Sequence, residues 1–390
     1  MKVLATAGRG AYFFDDQAAI AAGAERDGVA YRDAGVREPA EAVCIQLVLD
    51  DGYVARGDCV SVQYSGAGGR EPRLRAHELA PRVETALTGC SLAGFRQMAA
   101  DAEKRLEGLG RAAAYGASQA LLDAAAHVAG HHLMARVVMD EWELPGHARE
   151  VPLYAQAGEE RRSNVDKMLI KRVPVLPHGL INTPELVGSG GAALCEYITW
   201  IRERLARLAP EHTPVLHFDV YGQIGAVAGG EVAATAEILA SVERAAGGLR
   251  VRIEQPINGR TREEQIELLA ALRGRTGVEI VADEWANTLD DIRAFVDAGA
   301  AGLIQIKTPD LGSIHNTVDA VLLCQRSGVG TVLGGSCAET DISARVTANV
   351  GAATGATQML AKPGMGVDEG LAIVGNEIAR AVRLDRLIRR

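Results

Sequence analysis

Four short apolar runs decide the fold: PVLHFDV at 214–220, LRVRIEQP at 249–256, VEIVADE at 278–284 and GLIQIK at 302–307. Each is rich in Val, Ile and Leu, and each closes on an ionisable residue: Asp219, Glu254, Asp283 with Glu284 next to it, and Lys307. The four residues are 35, 29 and 24 positions apart, each interval about one strand-plus-helix unit. Helical patterns fill the gaps at 231–246, 261–273 and 288–298. Three more strand-like runs extend the rhythm: VPLYAQ at 151–156, KMLIK at 167–171 and GTVLGGS at 330–336. Seven candidate strands alternating with helices argue for parallel units. A (β/α)8-type barrel accounts for them better than a doubly wound sheet, because the polar strand ends would then meet at one mouth.

Before residue 150 the pattern is different. EAVCIQLVL at 41–49 reads as a strand, DDG at 50–52 as a turn and YVARGDCVSV at 53–62 as the returning strand of a hairpin. A glycine-rich loop, QYSGAGGR, occupies 63–70, and alanine-rich helical stretches follow, the clearest at 112–130. The expected organisation is an α+β capping domain over 1–150 and a barrel over 151–390. Such a cap would exclude water from the barrel mouth.

The 390-residue composition is ordinary for a globular protein, with 48% hydrophobic and 23% charged residues. Aromatic residues are only 4%, so the core has to be aliphatic. A net charge of −9 argues against nucleic acid as a partner. The six cysteines lack the spacing of a zinc site or a disulfide framework. No apolar run is long enough to span a bilayer, and the N-terminus does not look like a signal peptide. A cytoplasmic protein without membrane attachment is the expectation.

A lone Asp at a strand end is more often a helix cap than a ligand. Three acids and a lysine on consecutive units are harder to dismiss. Three buried carboxylates repel one another and lose their hydration, and a hard divalent cation such as Mg2+ relieves both costs. A lysine beside such a centre, with its pKa lowered, could act as a general base.

At this point a resemblance becomes specific. Asp, Glu, Asp and then Lys on successive strands is similar to the enolase superfamily. Nine further stretches resemble the family of 3-methylaspartate ammonia-lyases: QYSGAGGR, NVDKMLIK, VLPHGLINT, HFDVYGQIG, RIEQP, VADEWANT, QIKTPDLG, GGSCAETD and LAKPGMGVDEG, spread over 63–370. The resemblance implies Mg2+ held by Asp219, Glu254 and Asp283, with K+ as a possible monovalent activator. It implies that Lys307 removes the C3 proton of L-threo-3-methylaspartate and that His178 serves the opposite face and the L-erythro diastereomer. The enolate so formed is stabilised on the metal and collapses to mesaconate and ammonia. Gln156, Gln305, Ser336, Cys337 and Gln63 match substrate contacts, and Leu360 matches a wall near the alkyl group. A homodimer and a place in amino-acid degradation, glutamate fermentation through mesaconate, are implied as well.

The chain departs from the family pattern twice, with Ser336 where Thr is frequent and Gln255 where Gly is frequent. Two other readings compete. An acid-sugar dehydratase or racemase would carry a KxK pair on an early strand, whereas Lys167 and Lys171 flank three residues. A non-catalytic barrel would have no need of the complete acid and lysine set. The remaining histidines, such as His127, His131 and His132, read as surface or packing residues.

Overall fold

The computed structural model describes residues 1–11, 13–14, 37–62, 70–90, 94–158, 160–362 and 364–388. The first five strands are β1 (Lys2–Arg9), β2 (Phe13–Phe14), β3 (Arg37–Glu38), β4 (Glu41–Val48) and β5 (Val54–Cys59). β1, β4 and β5 form an antiparallel sheet in that order, and β2 pairs with β3. The expected hairpin is present. Gly52 turns it with φ 90, donating to Leu49 O at 3.0 Å, while Leu49 N donates to Tyr53 O at 2.8 Å.

The alanine-rich segment forms the helix Arg111–Val128, which lies across this sheet. Contact is backbone to backbone: a Cβ on Gly57 would stand 2.2 Å from Gly116 O. That approach requires glycine on both sides and explains the row of small buried residues, Ala113, Ala117, Ala120 and Ala124. Helices Ala76–Leu87, Phe95–Arg105 and Met134–Glu141 complete this part of the chain.

The remaining strands are β6 (Leu153–Tyr154), β7 (Val175–His178), β8 (Val215–Asp219), β9 (Val251–Glu254), β10 (Glu279–Ala282), β11 (Leu303–Ile306), β12 (Gly330–Leu333) and β13 (Gln358–Leu360). They are parallel and close into a barrel in the order β10-β11-β12-β13-β6-β7-β8-β9. The expected α/β barrel with an N-terminal α+β cap is therefore the fold. The helices anticipated between strands appear as Val232–Ala246, Arg262–Arg273 and Leu289–Asp297. Two of them are capped by threonine: Thr261 accepts from Glu264 N and Thr288 from Asp291 N.

One strand expectation is corrected. KMLIK is not a strand; its first four residues end the helix Arg161–Ile170, with Val165, Met168 and Leu169 buried on one face. A three-residue apolar run has too little length to separate the two periods. Lys167 and Lys171 reach Asp368 instead, at 3.4 and 3.2 Å. The second barrel strand is VLPH, which is not among the seven candidate runs and carries a proline, a residue that is uncommon in central strands. The eighth strand, β13, is also absent from the candidate runs and is only three residues long.

Inward-facing side chains form two kinds of layer. Tyr154, Val175, Val281, Leu303, Val332 and Leu360 make an apolar cluster. Around it run His217, Arg252, Gln358 and Glu279, a polar set within the interior.

Candidate active site

The strand ends bring the anticipated residues to one mouth. Asp219 and Glu254 are register partners at the ends of β8 and β9, and Asp283 follows the last residue of β10. Lys307 follows β11, and His178 ends β7. All five are buried, none more than 6% exposed. Backbone strain concentrates here, with positive φ at His178 (65), Tyr221 (50), Gln255 (51) and Trp285 (70), each at or just past a strand end.

The acids do not all face one another. Among the described residues, the group of ligand atoms that lie within 4.8 Å of one another belongs to His178, Asp219 and Glu254. Asp283 is turned toward cations instead. Lys307 Nζ donates to its Oδ2 at 2.7 Å and Arg70 Nη2 to its Oδ1 at 3.4 Å. Burial, with Glu284 beside it, pushes the Asp283 carboxyl well above its ordinary range against the pull of Arg70. Burial also pushes Glu254 up, but hydrogen bonding from His217 and the fields of both histidines outweigh it and hold Glu254 below its ordinary value.

His178 is kept neutral. Burial brings its imidazole down to about 4, its Nε2 lies 3.6 Å from Asp219 Oδ2, and its Nδ1 has no partner. A neutral imidazole keeps one ring nitrogen with a lone pair, which can accept a proton. Asp219 Oδ1 accepts from Tyr221 N at 3.2 Å.

Three buried oxygen-bearing acids at the ends of adjacent strands suit a hard divalent cation. Glu254 supports that reading in detail. Each oxygen accepts one hydrogen bond, Oε1 from Gln305 Nε2 at 3.0 Å and Oε2 from His217 Nε2 at 2.9 Å, so each keeps a lone pair.

The substrate-contact candidates differ in what they have to offer. Gln305 sits beside Glu254 with its Oε1 unpartnered. Gln156 is half-buried just beyond β6. Leu360 belongs to the interior apolar cluster, and Cys337 is buried. Ser336 is engaged locally: its hydroxyl donates to Ser61 O at 2.7 Å and accepts from Ala338 N at 2.8 Å. It braces the loop after β12 to the N-terminal part of the chain. Gln63 lies outside the described residues.

Three residues near the site were not singled out from sequence. His217 holds Glu254, and its position two before Asp219 on the same strand face was the available signal. Tyr154 stacks on the His217 ring at 4.2 Å and 14°. Arg70 closes QYSGAGGR and reaches across to the barrel, donating to Asp310 Oδ2 at 2.7 Å as well as to Glu284 and Asp283. Nothing in the local sequence around Arg70 points to those partners.

Comparison with known proteins covers nearly the whole chain. The family models described as methylaspartate ammonia-lyase N-terminus and C-terminus match residues 1–143 and 147–387. The methylaspartate ammonia-lyase of Citrobacter amalonaticus is 45% identical over 405 residues, covering 98% of each chain. The crystal structure of the Citrobacter amalonaticus enzyme containing (2S,3S)-3-methylaspartic acid superposes with a TM-score of 0.90 at 44% identity, over 98% of this chain and 99% of that one. The Mg complex of the Clostridium tetanomorphum β-methylaspartase gives 0.88 at 42% identity, with coverages of 98% and 99%.

Proposed function

The chain belongs to the methylaspartate ammonia-lyase family of the enolase superfamily, and from that membership we propose how its residues share the reaction. It is a carbon–nitrogen lyase that reversibly eliminates ammonia from L-threo-3-methylaspartate to give mesaconate. The base roles, the ligand set and the substrate contacts are our reading of the site.

Asp219, Glu254 and Asp283 are the residues that would hold Mg2+, which a related enzyme carries in its crystal structure. When bound, the ion supplies Lewis-acid stabilisation for charge developing on the substrate carboxylate next to C3. Lys307 Nζ takes the C3 proton of the threo isomer. The electron pair from that C–H bond forms the C2–C3 double bond, the C2–N bond breaks and ammonia leaves with its electron pair. His178, neutral through burial, takes the proton from the opposite face in the erythro isomer. Gln156, Gln305, Cys337 and Gln63 orient the carboxylates and the amine, and Leu360 bounds the 3-methyl group. Ser336 belongs to the same wall, and its bond to Ser61 O suggests that it acts by holding the loop.

We assign residues 1–150 to the cap and 151–390 to the catalytic barrel, place the enzyme in the cytoplasm as a homodimer and include K+ as an activator. Among the described residues no helix is long and apolar enough to cross a membrane, in keeping with that placement.

The observation that carries the two-base reading is the position of His178 and Lys307 on opposed strands, with the acid cluster on the strands between them. Its test is a panel of L-threo-3-methylaspartate, L-erythro-3-methylaspartate and aspartate, followed by diacid absorbance with and without Mg2+. Fast Mg2+-dependent turnover of the threo isomer is the expected result. Turnover unaffected by removing the metal would overturn the site reading.

A further inference from the structure

A hydrogen-bonded chain runs through the barrel interior from its solvent-facing floor to Glu254. At the floor, Arg250 Nε donates to Glu279 Oε2 at 2.8 Å, and Arg252 Nε donates to the same oxygen at 2.9 Å. Arg252 Nη1 donates to Gln358 Oε1. The Gln358 amide nitrogen meets His217 Nδ1 at 2.8 Å, and His217 Nε2 meets Glu254 Oε2 at 2.9 Å. Arg252, Gln358, His217 and Glu254 are all buried, on β9, β13, β8 and β9.

The order of donors along this chain is forced. A guanidinium only donates, so the atom Gln358 presents to Arg252 has to be its carbonyl oxygen. The other end of the amide is then NH2, which donates. His217 Nδ1 must therefore be the bare nitrogen, and the ring proton must sit on Nε2, aimed at the Glu254 carboxylate. With the opposite tautomer, a lone pair would face a carboxylate on one side and two N–H groups would collide on the other. Tyr154, stacked on the ring, fixes its plane.

We propose that Arg252 and Gln358 are positioning residues for the metal centre: they set the Nε2–H tautomer of His217, which holds Glu254 in its ligating orientation. The inference rests on reading Glu254 as a metal ligand. Outer partners of metal ligands act in this way through orientation and not through contact with the substrate. Arg252 and Gln358 lie on strands four apart in either direction round the barrel, so their contact crosses the interior.

The test uses the full chain labelled with 15N-histidine. The imidazole nitrogens of His217, identified by loss of its signals in His217→Gln, are expected to show a protonated Nε2 and a bare Nδ1. A protonated Nδ1 in the unaltered protein overturns the proposal. In Gln358→Glu a carboxylate oxygen replaces the amide NH2, so Nδ1 is expected to gain a proton; an unchanged spectrum overturns the proposal. Mg2+ binding by calorimetry is the second readout. His217→Leu should weaken it about 10- to 100-fold. His217→Gln, whose amide can still donate to Glu254, should keep affinity within about threefold. Equal losses in both variants, or no loss in either, count against the relay. Glu254→Gln separates the two hypotheses: if it leaves Mg2+ affinity unchanged, the ligand assignment fails, whereas a loss there with none in His217→Leu defeats the relay alone.

Discussion

His178 and Lys307 stand on opposite walls of the barrel. His178 ends β7 and Lys307 follows β11, and in the closed order these strands are four apart in either direction. Asp219, Glu254 and Asp283 come from β8, β9 and β10, which span one of the two arcs between them. A substrate held on that arc would have its C3 between Lys307 and His178.

Replacing Lys307 with Ala should lower kcat for the threo isomer by about 100- to 10,000-fold, the usual contribution of a positioned base. Replacing His178 with Ala should spare the threo isomer and reduce the erythro rate, raising the threo-to-erythro ratio. Steady-state kinetics on both diastereomers checks this. Equal losses on both isomers in both variants would sink the two-base assignment.

The acids should differ in what their removal does. Asp219→Asn and Glu254→Gln should weaken Mg2+ binding by at least about tenfold, read by calorimetry. Asp283→Asn should weaken it too, and should also release Lys307 and Arg70, which both pair with Asp283. Of the three variants, Asp283→Asn should therefore show the largest change in thermal stability.

Arg70 ties the segment before the first cap helix to three acids, Asp283, Glu284 and Asp310. Its guanidinium is buried, so Arg70→Ala leaves those charges without their main counterion. The expected cost is about 3–5 kcal/mol, measured by chemical denaturation. Arg70→Lys should recover only part of it, because an ammonium cannot span three carboxylates with a planar fork. An Arg70→Ala protein as stable as the parent would show that the anchor is not structural.

Stability toward acid should depend on Asp385. Its Oδ2 accepts from Ala148 N and pairs with His147, both at 2.9 Å, and Arg136 Nη1 lies 3.3 Å from Oδ1. Burial pushes this carboxyl up, but the Ala148 N–H, His147 and Arg136 outweigh it and hold it below its ordinary value. The folded state therefore favours the ionised form. The stabilisation is complete above the ordinary Asp value of about 4 and disappears as pH falls through the lower folded value. The advantage over Asp385→Asn should be constant at neutral pH and shrink below about pH 4, as read by urea midpoints across that range.

Much of the catalytic apparatus was legible in the chain because it is local. A strand places residues two apart on one face, and a barrel unit repeats at a nearly fixed interval. Asp219, Glu254, Asp283 and Lys307 could thus be read as one mouth from spacing and strand endings alone. The hairpin at 41–59 and the helix Arg111–Val128 were legible for the same reason. Short-range signals were weak elsewhere: MLI belongs to a helix, β7 contains Pro177, and β13 is only three residues long.

What only the tertiary structure decided depends on contacts between distant parts of the chain. The opposition of His178 and Lys307 follows from ring closure, which pairs β13 with β6. Arg70 meets Asp310 across 240 positions, and Gln358 meets His217 across 141. No periodicity encodes such pairings; they arise because buried donors and acceptors must find partners wherever packing brings them. The sequence by itself therefore determined which chemical groups reach the barrel mouth. Folding decided which of them pair there, turning Asp283 toward Lys307 and Arg70 and setting Glu254 against His217, because hydrogen-bond partners in a closed interior are chosen by proximity in space.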